Sequence, residues 1–349
     1  VLTPFYRRAE FQGVPGRAVP PTRVPDHFQI HGQPGLRRNL ILSHFKYTFP
    51  EYVGILRGTY IALDNGHALI DEDGEVITIN HSKDDITASK DINEHFITPA
   101  IQTQIQALAR RRNDLPLVEK AALLSHPYAQ NFYHFCLDTV TKTRFLEEFD
   151  VNAVVIAPVC LQKAFQRDLL ARTQGPRSVL PLNQPIRIKD PVLAHGYTSP
   201  AALFWLRQKT RFAQTPGTRR IYIHRTNLSR STAGDCIVQT AAFGAFLEEF
   251  GFDTVDFGSG DLTMQQQIAM IDGAGLILGA HGASMTNIAF INPPATIIEL
   301  FGHRVFGGFM DIAANLDLRY HGIICEDFDG GGNMIPDCAQ LRGLISSLA

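Results

Sequence analysis

Residues 275–302 read GLILGAHGASMTNIAFINPPATIIELFG, and this stretch decides the fold. An apolar strand runs into a sharp glycine turn at Gly279, His281 and Gly282. A helix opens at Ala283 or Ser284, a proline turn follows, and a second apolar strand reaches Glu299. A helix start behind a glycine turn presents free backbone N–H groups and a partial positive charge, which suits a phosphate. An acid near the carboxyl end of the next strand of a doubly wound sheet can accept from a ligand's hydroxyls. A nucleotide is the first ligand this pattern suggests.

Outward from that stretch the alternation continues. Strands are predicted over 220–224, 253–256, 276–278, 296–300 and 319–325, with helices over 233–250, 263–273, 284–290 and 306–316. Apolar strands alternating with amphipathic helices mean right-handed crossovers and a parallel, Rossmann-like sheet. The first half is α/β too, but less regular. It has a hairpin around Asn65-Gly66, a turn at Asp73-Gly74 and a helix over 101–112. Strands follow over 120–124 and 152–158, near Val179 and over 191–195, with helices over 129–149 and 160–173. A helix over 200–212 bridges to the second half. The expected organisation is a loop-rich arm at 1–35, an α/β domain at 36–199 and a Rossmann-like domain at 200–349.

The 349-residue length fits two domains, and 45% hydrophobic residues supply their cores. A net charge of −2 gives no footprint for nucleic acid. Five cysteines, widely spaced and without CxxC, read as buried free thiols rather than a disulfide framework or zinc site. No apolar run is long enough to span a membrane and no signal peptide is visible, so a cytoplasmic or membrane-peripheral place is expected.

Three constellations carry possible chemistry. In the glycine turn, backbone N–H groups of residues 282–285 could hold a diphosphate, with Ser284 and Thr286 adding hydroxyls; the plain alternative is a tight turn capped by Ser284. In NFYHFCLD, residues 131–138, helical spacing puts Asn131, His134 and Asp138 on one face of an otherwise apolar helix. Burying three such groups is costly unless they are bonded or used. They form either a proton acceptor with its supports or a satisfied polar network. In RIYIHRTNLSR, residues 220–230, a strand delivers Arg225 to the sheet edge, where a guanidinium can neutralise a diphosphate. Asn227, Ser229 and Arg230 share that loop. Neither HExxH, a GxSxG elbow, a P-loop nor histidine-rich metal spacing is present, and Gly273-x-Gly275 precedes its strand, the wrong context for a dinucleotide fingerprint.

Taken together, these motifs resemble glycosyltransferase family 61, which includes bacterial polysaccharide enzymes and plant xylosyltransferases. The resemblance rests on IYIHR ending at Arg225, FLEEFGFDTVDF, HGASMTN at 281–287, IIEL with Glu299, and the upstream Asn131, His134 and Asp138. The family usually has glycine where this chain has Ser284, and often proline where it has Thr141. The resemblance implies a GT-B architecture of two Rossmann-like domains. It also implies an inverting, metal-independent transfer from a nucleotide sugar, usually a UDP-sugar, to a glycan or glycoconjugate hydroxyl, with no further cofactor. Asp138 is then the expected base, with His134 the alternative or Asp138 its orienter. Arg225, His281, Gly282, Ala283 and Ser284 meet the diphosphate. Glu299 accepts from the ribose, and Asn287 contacts the sugar donor or braces the turn. The rival readings are a non-catalytic nucleotide- or sugar-binding module and a Rossmann-type NAD-dependent oxidoreductase.

Overall fold

The computed structural model describes residues 2–4, 28–31, 52–63, 68–74, 76–78, 99–124, 126, 128–195, 199–210, 217–225, 236–258, 260–302 and 306–348. The chain divides into two compact units, one of residues 1–18 and 50–197, the other of residues 19–49 and 198–349.

The second unit is built on a six-stranded parallel sheet. Its order is Phe252–Asp256, Arg219–His224, Ala274–Ala280, Thr296–Phe301, Arg319–Ile324 and Phe28–His31. The inner strands are apolar on both faces, as helix-covered parallel strands must be, with Ile221, Ile277, Ile297 and Ile298 buried. Covering helices start where side chains satisfy their free N–H groups: Thr240 accepts from Phe243 at 3.0 Å, and Thr263 and Gln266 form a capping box. The edge strand Phe28–His31 comes from the segment read as an arm. The helix predicted over 233–250 runs from Ala241 to Glu249, and residues 226–235, with Asn227, Ser229 and Arg230, lie outside the described residues.

The first unit holds two mixed sheets. One has the order Ser178–Pro181, Ala153–Ile156, Ala121–Leu124, Val192–His195 and Tyr52–Ile55, parallel except for its last pair. The fully buried AALL and AVVI strands are its centre. The other contains the predicted hairpin, whose strands Thr59–Ala62 and Ala68–Ile70 pair antiparallel; Asn65-Gly66 itself lies outside the described residues. Asp71 turns the chain at Asp73-Gly74, its carbonyl accepting from Gly74 at 3.2 Å. Three strands, Leu2–Pro4, Leu117–Glu119 and Ile186–Lys189, were not predicted; the first lies in the segment read as an arm, and the other two are short and mix charge with apolar residues. All five cysteines are free thiols, four of them buried.

Candidate functional site

In the first unit the segment carrying His134 and Asp138 is not the α-helix its sequence predicts. His134–Thr139 form a π-helical turn, and Val140–Glu148 continue as 3-10 helix. Threonine hydroxyls donate to carbonyls inside it: Thr139 to His134 at 3.0 Å, Thr143 to Val140 at 2.7 Å, and Thr141 to Leu137. Such back-bonding competes with the regular ladder, and π turns gather at functional sites.

The turn brings His134 and Asp138 into contact, with Nδ1 of the imidazole 2.6 Å from Oδ2 of the carboxylate. A carboxylate only accepts, so Nδ1 carries the proton and Nε2 is the ring's other face. His134 keeps 27% of its side chain exposed, whereas Asp138 keeps 5%. Asn131 does not join them: its Oδ1 accepts from the Tyr133 N–H at 2.9 Å, a local turn that opens the helix.

His126 joins the pair instead, and the sequence reading missed it. It stands two residues beyond the buried strand Ala121–Leu124, at the strand-end position where α/β ligand sites lie. Its Nδ1 accepts from the Tyr128 N–H at 3.2 Å, which leaves Nε2 facing Asp138 Oδ2 at 3.6 Å. The nitrogens of both histidines and the Asp138 oxygen lie within 4.8 Å of one another, a donor set able to hold a divalent cation. Sequence spacing showed no metal motif because His126 comes from a different element. Asp138 Oδ1 is buried without a hydrogen bond. Lys142 lies fully buried nearby, its ammonium pushed down to about 7 by burial while Asp138 pulls the other way.

In the second unit the strand Ala274–Ala280 ends at the glycine turn, and His281 N–H donates to the Leu300 carbonyl at 2.8 Å. Arg225, one residue past its strand, donates from Nη1 to the His281 carbonyl at 2.6 Å. Gly282 makes that possible: a Cβ there would stand 2.6 Å from Arg225 Nη1. Gly279 serves packing, because a Cβ would meet Met285 Sδ at 2.7 Å.

The helix behind the turn, Ala283–Phe290, is wound as 3-10. Of the N–H groups expected to face a phosphate, that of Met285 is used internally, donating to Gly282 at 2.9 Å. Ala283 and Ser284 are half-buried at the helix start. Thr286, expected toward a ligand, and Asn287, expected to contact the donor or brace the turn, are wholly buried. Asn287 Nδ2 ties the turn together, donating to the Ser284 carbonyl at 3.0 Å and to Gln267 Oε1 at 3.2 Å. At the far end Arg207 donates to the Ala289 carbonyl at 2.7 Å and also to that of Ile291, a brace the sequence reading did not find.

Glu299 differs most from expectation. It is completely buried, Oε1 lies 2.6 Å from His281 Nδ1, and Oε2 accepts from the Tyr320 hydroxyl at 2.6 Å. Buried and bonded on both oxygens, it does not face a ribose. Beyond the carboxyl ends of Thr296–Phe301 and Arg319–Ile324 lies a cavity of about 380 Å³. Leu300, Cys325, Glu326, Asp327, Pro336 and Gln340 help to line it. Leu300 also receives the His281 N–H, so the cavity adjoins the turn.

The fold and these groups define an α/β protein whose chemistry gathers at strand ends. Residues 132–298 match the family model described as Glycosyltransferase 61, so the chain carries a domain of that family. The matched segment contains His134, Asp138, Arg225 and His281, although His126, Glu299 and Tyr320 lie outside it. That family is one of sugar-transferring enzymes, and the match spans a little under half of the chain. The chain matches no curated protein. Among the described residues no helix is long and apolar enough to cross a membrane.

Proposed function

We propose that the protein is an inverting glycosyltransferase of GT-B type that moves a sugar from a UDP-sugar to a hydroxyl of a glycan or glycoconjugate. The observation that carries this reading is the 2.6 Å His134–Asp138 contact inside the segment matched to the family. A histidine anchored through Nδ1 by a buried carboxylate is the base-and-orienter arrangement that proton abstraction requires. Its greater exposure makes His134 the base and Asp138 the orienter. The acceptor hydroxyl gives its proton to His134 Nε2 as its oxygen bonds the anomeric carbon, and the C–O bond to the diphosphate breaks on the opposite side. The electron pair leaves on phosphate, where Arg225 and the free N–H groups of the glycine turn meet the charge. The cavity beside Leu300 takes the nucleoside, with Glu326 and Asp327 as acceptors for ribose hydroxyls and Gln340 available to a base edge.

The transfer runs without a metal in this reading, because Asp138 is engaged directly by an imidazole. Activity then survives a chelator, and added Zn²⁺ inhibits by bridging His126, His134 and Asp138.

The test is release of UDP from a panel of UDP-sugars. Asp138→Asn, His134→Ala and Arg225→Ala should fold normally, and the two helix variants should lose about 10²–10⁴-fold in turnover. Full activity in all three, or UDP located away from the strand ends of the second unit in a soaked crystal, sinks the reading.

A further inference from the structure

We propose that Glu299 and Tyr320 are positioning residues for His281, holding it by Nδ1 so that Nε2 is presented to the leaving diphosphate. The inference rests on the donor-site reading above and adds two roles to it: a buried carboxylate that orients an imidazole, and a tyrosine that orients the carboxylate.

The geometry forms a chain of three side chains from one sheet. His281 stands one residue past Ala280, while Glu299 lies on the next strand and Tyr320 on the one after. Tyr320 and Glu299 are both completely buried, whereas His281 keeps 18% of its side chain exposed, so the chain runs from the core outward. Direction follows from hydrogen-bond chemistry. Burial, reinforced by the neighbouring Glu299, raises the Tyr320 phenol well above its usual range, so it remains a neutral hydroxyl that donates to Oε2. Oε1 then accepts from His281 Nδ1–H at 2.6 Å. Phe301 stacks on the imidazole at 5.2 Å, and Phe306 and Phe309 pack around it, which fixes the ring plane. Nε2 makes no hydrogen bond among the described residues and is not among the buried unbonded atoms, so it reaches solvent.

Arg225 sits on the same turn, bonded to the His281 carbonyl. Among the described residues the charged group bonded to the ring is the Glu299 carboxylate behind it, while the Arg225 guanidinium holds the backbone carbonyl of the same residue. An arriving diphosphate adds negative charge in front, which favours a second proton on the ring. Nε2–H then donates to a phosphate oxygen as the C–O bond breaks, while Glu299 balances the charge from behind. Glu299 thus accepts from an imidazole where the sequence pattern had it accept from ribose hydroxyls.

The experiment pairs ¹⁵N-histidine NMR with calorimetric binding of inorganic pyrophosphate to wild type, Glu299→Gln, Tyr320→Phe and His281→Gln. Wild type should show His281 protonated at Nδ1 when free and at both nitrogens when pyrophosphate is bound. Glu299→Gln and His281→Gln should weaken pyrophosphate about tenfold, and Tyr320→Phe by less, with the Nδ1 signal perturbed in both positioning variants. If Glu299→Gln unfolds, Tyr320→Phe decides, since it keeps the ring and removes one oxygen. A free His281 protonated only at Nε2 overturns the proposal, as do variants with unchanged ring signals and unchanged affinity. Failure of wild type and Arg225→Ala alike to bind pyrophosphate overturns the donor-site reading instead, and the phosphate role of His281 with it.

Discussion

His126 and His134 stack face to face, ring centroids 4.6 Å apart and planes 16° from parallel, with both rings turned toward the Asp138 carboxylate. The two are unequal. His134 is in hydrogen-bond contact at 2.6 Å, while His126 stands at 3.6 Å, outside that range. His126→Phe keeps a flat ring in the stack and removes only the distant nitrogen. It should lower UDP release by about tenfold, against a loss of about 10²–10⁴-fold for His134→Phe. Steady-state rates for both variants decide it, and equal losses would mean that the two imidazoles share the proton.

How much of this was legible follows from what each feature depends on. The parallel sheet of the second unit depends on strand and helix periodicity, which the sequence displays, and five of its six strands fall where predicted, the exception being the edge strand Phe28–His31. The His134–Asp138 pair was legible because they stand four positions apart, a spacing that either an α or a π turn brings together. Asn131 was misread because the shared face assumed α-helical winding, whereas the side chain closes on its own backbone. His126 and Tyr320 were hidden because their partners are remote in sequence, and contacts of that kind exist only once strands have found their neighbours. Glu299 was read as an acceptor for ribose hydroxyls, yet its partners lie within the protein. An acid near a strand end looks the same in sequence whether it faces a ligand or a buried histidine.

Gly282 lies beneath the Arg225 guanidinium, and its backbone is extended, so the close approach rather than the conformation requires glycine there. In Gly282→Ala the new Cβ meets the far end of a flexible side chain, which swings away. Stability should change little, by less than about 1 kcal/mol. UDP affinity should fall about tenfold, because the displaced guanidinium no longer meets the phosphates. Thermal unfolding and UDP calorimetry on one preparation separate the two effects. A large drop in melting temperature with affinity retained contradicts the placement of Arg225.

Thr286 and Ser284 were read as similar hydroxyls, but only Ser284 stands at the half-buried helix start. Thr286 Oγ1 is buried and makes no hydrogen bond. Thr286→Val preserves the shape and removes a hydroxyl whose desolvation nothing offsets, so it should stabilise the fold by about 1 kcal/mol. Binding of a UDP-sugar should be unchanged. Weaker binding in this variant would show that the hydroxyl reaches the ligand after all.

Lys142 is fully buried with its ammonium pushed down to about 7 from 10.5, chiefly by desolvation. Above the unfolded value both states are neutral and the residue has no linkage to folding. As pH falls from 10.5 toward 7, the unfolded chain takes up a proton that the folded chain refuses, so folding is progressively disfavoured. Below about 7 both states are charged and the penalty stays at its full value. Lys142→Met keeps the length of the side chain and removes this titration. It should therefore raise stability by on the order of a few kcal/mol at neutral pH, with the gain shrinking as pH rises toward 10. Urea unfolding of both proteins at several pH values measures it. A gain that does not vary with pH would show that the ammonium reaches water or finds a compensating charge in the folded protein.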